Sequence, residues 1–225
     1  MTQWVENPTG GRDRGPAALV RAWVEILRRP RRFFRTGVAP GDQAPGLVFA
    51  SMVVLVEEAS RFAVVHLAER GLVSTGPFDY PALAGFSPGV AVLVLLAIIM
   101  FVTPATVHLT AAVQTLLLVP TAPDRGGISE TVQVLCYAMA PCLFAGLPSP
   151  EVRVVVAAWG AALYVLGTAT RDGEEKIVGR SHTRGKYLLS DMSEAELSDT
   201  FASNQLLLGV IALGSAAAMV WFLLP

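Results

Sequence analysis

Charge is scarce in this chain. Asp, Glu, Lys and Arg make up 16% of its 225 residues, well below the roughly 25% of a typical soluble domain. Between Asp79 and Asp124 no charged residue occurs in 44 consecutive positions. A helix at the surface of a soluble domain needs one wet face, so that window excludes an ordinary soluble domain. Cysteine is almost missing. Cys136 and Cys142 are six residues apart, about 9 Å along a helix and on different faces. That is too far for a disulfide unless Pro141 breaks the geometry, and both read as small packing residues. Neither Cys nor His occurs at metal-ligand spacing, so no metal and no cofactor is expected. There is no Gly-rich phosphate loop, His-Glu-x-x-His, Gly-x-Ser-x-Gly or Cys-x-x-Cys, and no enzymatic activity is expected. Ser181-His182 lies in a charged stretch with no supporting acid on a fixed element. A basic start followed by a short apolar run is also missing, so no cleaved signal peptide is expected.

What the chain has in abundance is apolar length: 53% of it is hydrophobic and its mean hydropathy is +0.53. A bilayer requires roughly 20 largely apolar residues per helical crossing, its hydrocarbon core being about 30 Å thick. Five segments meet or approach that length, at about residues 46–68, 88–119, 129–147, 152–170 and 204–224. The pattern predicts an all-α polytopic transmembrane bundle, with residues 1–43 as a cytoplasmic basic segment and 44–225 as the membrane domain. The second segment, at 1.5 Å per residue, spans about 48 Å, so it must tilt, kink or project, and Pro104 is its obvious hinge. Thr103, Thr106, Thr110 and Gln114 share a stripe that should face protein rather than lipid. Pro141 interrupts the third segment, and the Pro148-Ser149-Pro150-Glu151 turn joins it to the fourth as a helical hairpin. Residues 171–203 are expected to be a polar cytoplasmic loop, with Ser193 and Glu196 forming a capping box before the last segment.

The first segment carries Glu57, Glu58 and Arg61 near its centre. Three mid-helix charges cost roughly 8 to 10 kcal/mol on the insertion scale, against roughly 4 to 7 kcal/mol returned by its apolar residues. Arg61 can reach either carboxylate, at i,i+4 or i,i+3. One acid is still left without a local partner, so other helices must surround this polar side. With His108, these are the intramembrane ionisable groups placed to matter. They form either an ion-pair cluster that fixes helix register, or a proton or ion pathway or a polar pocket for a lipid headgroup.

The first 14 residues are polar and Gly-rich and are expected to fray. Pro16 then opens a helix whose Leu19, Val20, Trp23, Val24 and Leu27 share one face, while Arg21, Glu25, Arg28 and Arg29 turn away. Pro30 ends it. Eight of the 17 basic residues precede position 36. An amphipathic helix of this kind suits an anionic membrane surface, with Trp23, Arg28, Arg29, Arg31, Arg32, Phe33 and Phe34 as contacts. The alternative is a cytosolic helix capping the bundle. A Trp/Leu face beside the arginines favours lipid over nucleic acid. With five crossings and the N-terminus inside, inner segments hold eight, one (Arg125) and five basic residues, and the outer loops hold only Arg70 and Arg153. The positive-inside rule then places the N-terminus in the cytoplasm and the C-terminus outside the cell membrane.

Trp23-x-x-x-Leu27-x-x-Pro30-x-x-Phe33-Phe34 resembles the cytosolic start of the Yip domain family, the Ypt/Rab-interacting membrane proteins. So does the long second helix followed by Gly126-Gly127-x-x-Glu130-Thr131-x-x-Val134-x-x-Tyr137-Ala138-x-x-Pro141, with Trp159-Gly160 in the fourth helix. The resemblance covers about residues 18–170 and is nearest the prokaryotic members. It implies a five-helix domain with a cytosolic N-terminus. Eukaryotic relatives bind prenylated small GTPases and shape vesicle membranes, whereas prokaryotic members generally have no assigned activity. Two functions are therefore expected in competition. The first is a non-enzymatic membrane protein acting through lipid and protein contacts, with a membrane-protein partner or a second copy of the chain. The second is a small transporter or channel subunit using the polar cluster of the first membrane helix.

Overall fold

A computed structural model describes residues 5–6, 12–13, 15–38, 41–74, 86–118 and 128–183, with only the backbone path considered at 5–6, 12–13, 88, 117–118 and 171–183. Apart from a two-rung antiparallel ladder pairing Val5–Glu6 (β1) with Arg12–Asp13 (β2), every described element is a helix. The ladder corrects the expectation of a wholly frayed start. Asp124, Arg125, the Gly126-Gly127 pair, the capping box at Ser193 and the segment 204–224 lie outside the described residues.

Helix α1 (Pro16–Arg28) begins on Pro16, as a residue without an N–H may at the first helical position. It ends because Pro30 cannot donate a helical hydrogen bond and pushes the residue before it out of the helical region. Arg29 sits at φ −140°, ψ 57°, and α2 (Pro30–Thr36) restarts directly from it. The two form an elbow. Helix α3 (Ala44–Glu69) is continuous. Next come α4 (Pro88–Ala97), a π turn at Ile98–Val102 and α5 (Thr103–Leu118) without interruption. The π turn lies immediately before Pro104, which cannot bond the Met100 carbonyl and whose ring crowds it; the wider turn relieves that crowding. Thr103 Oγ1 donates to the Ile98 carbonyl at 3.1 Å, which occupies an acceptor within the distorted turn.

Helix α6 (Ile128–Ala138) gives way at Pro141 to a 3-10 segment, Ala140–Phe144. After the turn at 145–149, α7 runs over Pro150–Thr183. Its length corrects the expected loop: the backbone stays helical through 171–183. Arg171, Glu174, Glu175 and Lys176 are good helix formers, and the two glycines in this stretch cost only about 1 kcal/mol each. A cap or a proline would have been needed to stop a helix already nucleated upstream, and none precedes Thr183.

The larger core lies where the α1–α2 elbow, α3, α6, the 3-10 segment and α7 meet, around Ile26, Phe33, Phe34, Phe49, Tyr137 and Leu163. A smaller one joins α3, α5 and α6 through Ala50, Val107, Ala111, Val132 and Cys136. Cys136 and Cys142 are both buried free thiols. On α5 the protein-facing stripe runs through Thr103, Val107, Ala111 and Gln114. Thr106 is a correction, because it is exposed and its hydroxyl donates to the Val102 carbonyl of its own helix at 2.8 Å.

Among the described residues two helices are long and apolar enough to cross a membrane, Gly89–Leu116 and Pro150–Thr170, and a shorter apolar stretch covers Ile128–Phe144. The first of these turns Leu93, Met100, Phe101, Leu109 and Leu116 outward, each more than 60% exposed.

Candidate functional site

Two groups of polar residues stand out, one at each end of the α6–α7 hairpin. At the turn end, one face of α3 presents Glu57 and Arg61, one helical turn apart. Arg61 donates from its Nη2 to Glu57 Oε1 at 2.6 Å and its Nη1 lies 3.4 Å from Glu58 Oε1. Glu57 is only 3% exposed. Arg61 thus reaches both carboxylates from α3 itself. Arg153, 7% exposed on the first turns of α7, is buried as a second guanidinium at this end of the hairpin.

Close approach of the backbones makes this possible. A Cβ built on Gly146 would fall 2.5 Å from the Glu57 carbonyl oxygen and 2.8 Å from Ser60 Cβ, so the hairpin turn rests directly on the α3 backbone beside the cluster. Depth follows from that contact. The cluster is level with the turn between α6 and α7, beside the first residues of the Pro150–Thr170 span, and not midway along the hairpin.

His108 corrects the expected membership. Its Nδ1 lies 2.7 Å from the Pro104 carbonyl and its Nε2 lies 2.8 Å from Gln43 Oε1. Gln43 precedes α3, 14 residues before Glu57, which is about 21 Å along the helix axis. His108 therefore ties α5 to the start of α3 at the opposite end of the bundle. Gln133 reinforces that end by donating from Nε2 to the Asp42 carbonyl at 2.6 Å.

The basic elbow packs along the hairpin between the two ends, α1 against the 3-10 segment beside the turn and α2 against α7 at Gly167. Trp23 Nε1 donates to the Ala140 carbonyl at 2.8 Å, and its ring packs against Phe144. Phe33 and Phe34 are fully buried; Phe33 meets Tyr137 edge-on at 4.9 Å between centroids. The side chain of Phe34 lies against Gly167, where a Cβ would come within 3.0 Å of its ring. These three aromatics, expected at a membrane surface, are spent instead on the protein core. The reason is the elbow: Pro30 turns α2 so that the apolar faces of both helices point at one hairpin. Arg28, Arg29, Arg31 and Arg32 stay exposed. Arg32 lies 3.7 Å from Glu25.

Sequence reasoning brought Glu57, Glu58 and Arg61 together by helical spacing and missed Arg153, Gly146 and Gln43. A signal for Arg153 was present. It falls in phase with Val156, Gly160, Leu163 and Gly167, the face of α7 that packs inward, whereas a count of loop charges treats it as exposed. Among the described residues no group of three His, Cys, Asp or Glu could hold a metal ion.

Comparison with known proteins adds the family. A model described as the Yip1 domain matches residues 24–171. A second model, described as an E3 ubiquitin ligase, matches residues 156–222, the smaller share of the chain and mostly outside the described residues. No curated protein and no solved structure matches. The chain belongs to the Yip1 domain family. Together with its apolar helices, this makes it a membrane protein, and membership carries no specific molecular activity with it.

Proposed function

We propose that this chain is a non-enzymatic, multi-pass protein of the cell membrane, with five crossings, a cytoplasmic N-terminus and an external C-terminus, and that it acts through contacts with anionic lipid and with a membrane-protein partner or a second copy of itself. The observation that carries the reading is the long apolar face of α4–α5. Only 17% of its most apolar stretch is buried, so lipid is the solvent that suits it. The arginine distribution supports the orientation.

The competing reading, a transporter or channel using Glu57, Glu58 and Arg61, draws less support. The cluster is held together by Arg61, packed under Gly146 and separated from His108 by about 21 Å of helix, so its groups form no file along the bundle. Liposomes holding the full chain separate the two. Flux of protons or ions that disappears in Glu57→Gln and Glu58→Gln would refute the contact reading. No flux, with a partner or second copy recovered by crosslinking in the membrane, is the expected result.

Orientation has its own test. Single cysteines introduced near Asp79 and Pro225 are expected to react with an impermeant reagent from outside, and those near Arg32 and Lys176 are not. External labelling near Lys176 would overturn the five-span arrangement.

A further inference from the structure

We infer that the α1–α2 elbow is a preformed docking site for the headgroups of anionic phospholipids, held rigidly against the α6–α7 hairpin rather than floating on the membrane as a separate amphipathic helix. The inference rests on the lipid-contact reading above and goes further by naming the site, its geometry and its dependence on the bundle.

Three observations support it. The first is charge. Arg28, Arg29, Arg31, Arg32 and Arg35 are five guanidiniums within eight residues, all exposed. Arg28, Arg29 and Arg31 pair with no acid among the described residues, and the nearest acid to Arg32 is Glu25 at 3.7 Å. Such a set attracts phosphate: its planar N–H forks match phosphate oxygens, and each basic side chain near an anionic surface is worth about 1 kcal/mol.

The second is rigidity. Ile26, Phe33 and Phe34 are fully buried on the inner side of the same two helices, and Trp23 is hydrogen-bonded to Ala140. The backbone carrying the arginines is therefore already ordered, and a headgroup need not meet that entropic cost on binding.

The third is position. Phe34 packs on Gly167, three residues before the Thr170 end of the Pro150–Thr170 span, about 5 Å along the helix axis. Arginines on the outer side of α2 can extend along their stems to the headgroups at that end. The arginines of α2 are thus within reach of the headgroups at that end.

Rigidity has a consequence that a floating helix would not share. Anything that loosens the elbow from the hairpin must also weaken headgroup binding, even with every arginine kept. The full chain would be purified with equal parts phosphatidylcholine and phosphatidylglycerol, and the retained lipids counted by native mass spectrometry. Wild type is expected to retain phosphatidylglycerol in preference. The variant Arg28→Gln, Arg29→Gln, Arg31→Gln should lose about a hundredfold of that preference, taking about 1 kcal/mol for each arginine. Phe34→Ala should lose part of it, while Arg70→Gln, at the far end of α3, should keep it. Preference unchanged in the triple variant, or in Phe34→Ala, would overturn the inference. A wild type that inserts but shows no preference would overturn it too, leaving the membrane reading intact. Failure of wild type to insert at all would overturn the reading beneath it.

Discussion

Arg61 bonds one carboxylate and lies beside a second on the same helix. Removing one member of a buried ion pair leaves an uncompensated charge and costs roughly 3 to 5 kcal/mol, whereas replacing the pair by neutral groups is often neutral or better. Arg61→Leu should therefore insert worse, or unfold at lower denaturant, than the triple variant Glu57→Gln, Glu58→Gln, Arg61→Leu, which should match wild type. Wild-type behaviour of Arg61→Leu would show that its guanidinium reaches water. Gly146→Ala tests the packing beside it. The added methyl meets the α3 backbone at Glu57 and should cost about 1 to 3 kcal/mol by overpacking, read as a shift in unfolding midpoint; an unshifted midpoint would mean that the turn does not rest there. At this scale the sequence was legible wherever spacing on one helix decided the contact, as for Glu57, Glu58 and Arg61. It was silent where two helices had to meet. His108 lies well away from Glu57 because the antiparallel run of α5 carries it to Gln43, and no local pattern encodes that level.

Among the elements, the helices announced themselves through apolar length and proline. Pro16, Pro30, Pro104 and Pro141 each mark a start, a break or a distortion that the structure contains. Partners of a face were less readable. The face of α1 carrying Trp23 is equally suited to lipid and to a protein groove, since both reward apolar burial. What decides is the elbow at Arg29, which aims α1 and α2 at one hairpin. Phe34→Ala should then cost about 3 to 5 kcal/mol of docking through the lost ring and the cavity it leaves. Tryptic cleavage after Arg28 and Arg31 should accelerate; an unchanged cleavage rate would mean that the elbow is not held by that ring. The extension of α7 through 171–183 was hidden for another reason. Charged, Gly-containing sequence resembles loop whenever apolar period is the criterion, although a helix projecting past a membrane has no apolar face to display.

At the scale of the molecule, the solvent was the most legible property and the pairing of helices the least. Forty-four uncharged residues between Asp79 and Asp124 required lipid, and the α4–α5 surface is apolar almost all round. The order of the helices about the hairpin, and the placing of one polar group at each of its ends, arise from contacts between distant residues such as Gly146 with Glu57 and Phe34 with Gly167. The central claim is that the outer face of α4–α5 contacts lipid while its inner face packs on protein. It is tested most directly by spin labels at Met100, Leu109 and Ala111 in the full chain reconstituted in vesicles. Collisions with oxygen, which concentrates in the bilayer, are compared with collisions with a water-soluble nickel complex. Strong oxygen and weak nickel access are expected at Met100 and Leu109, and weak access of both at Ala111. Strong nickel access at Met100 and Leu109 would place that face in water and contradict it.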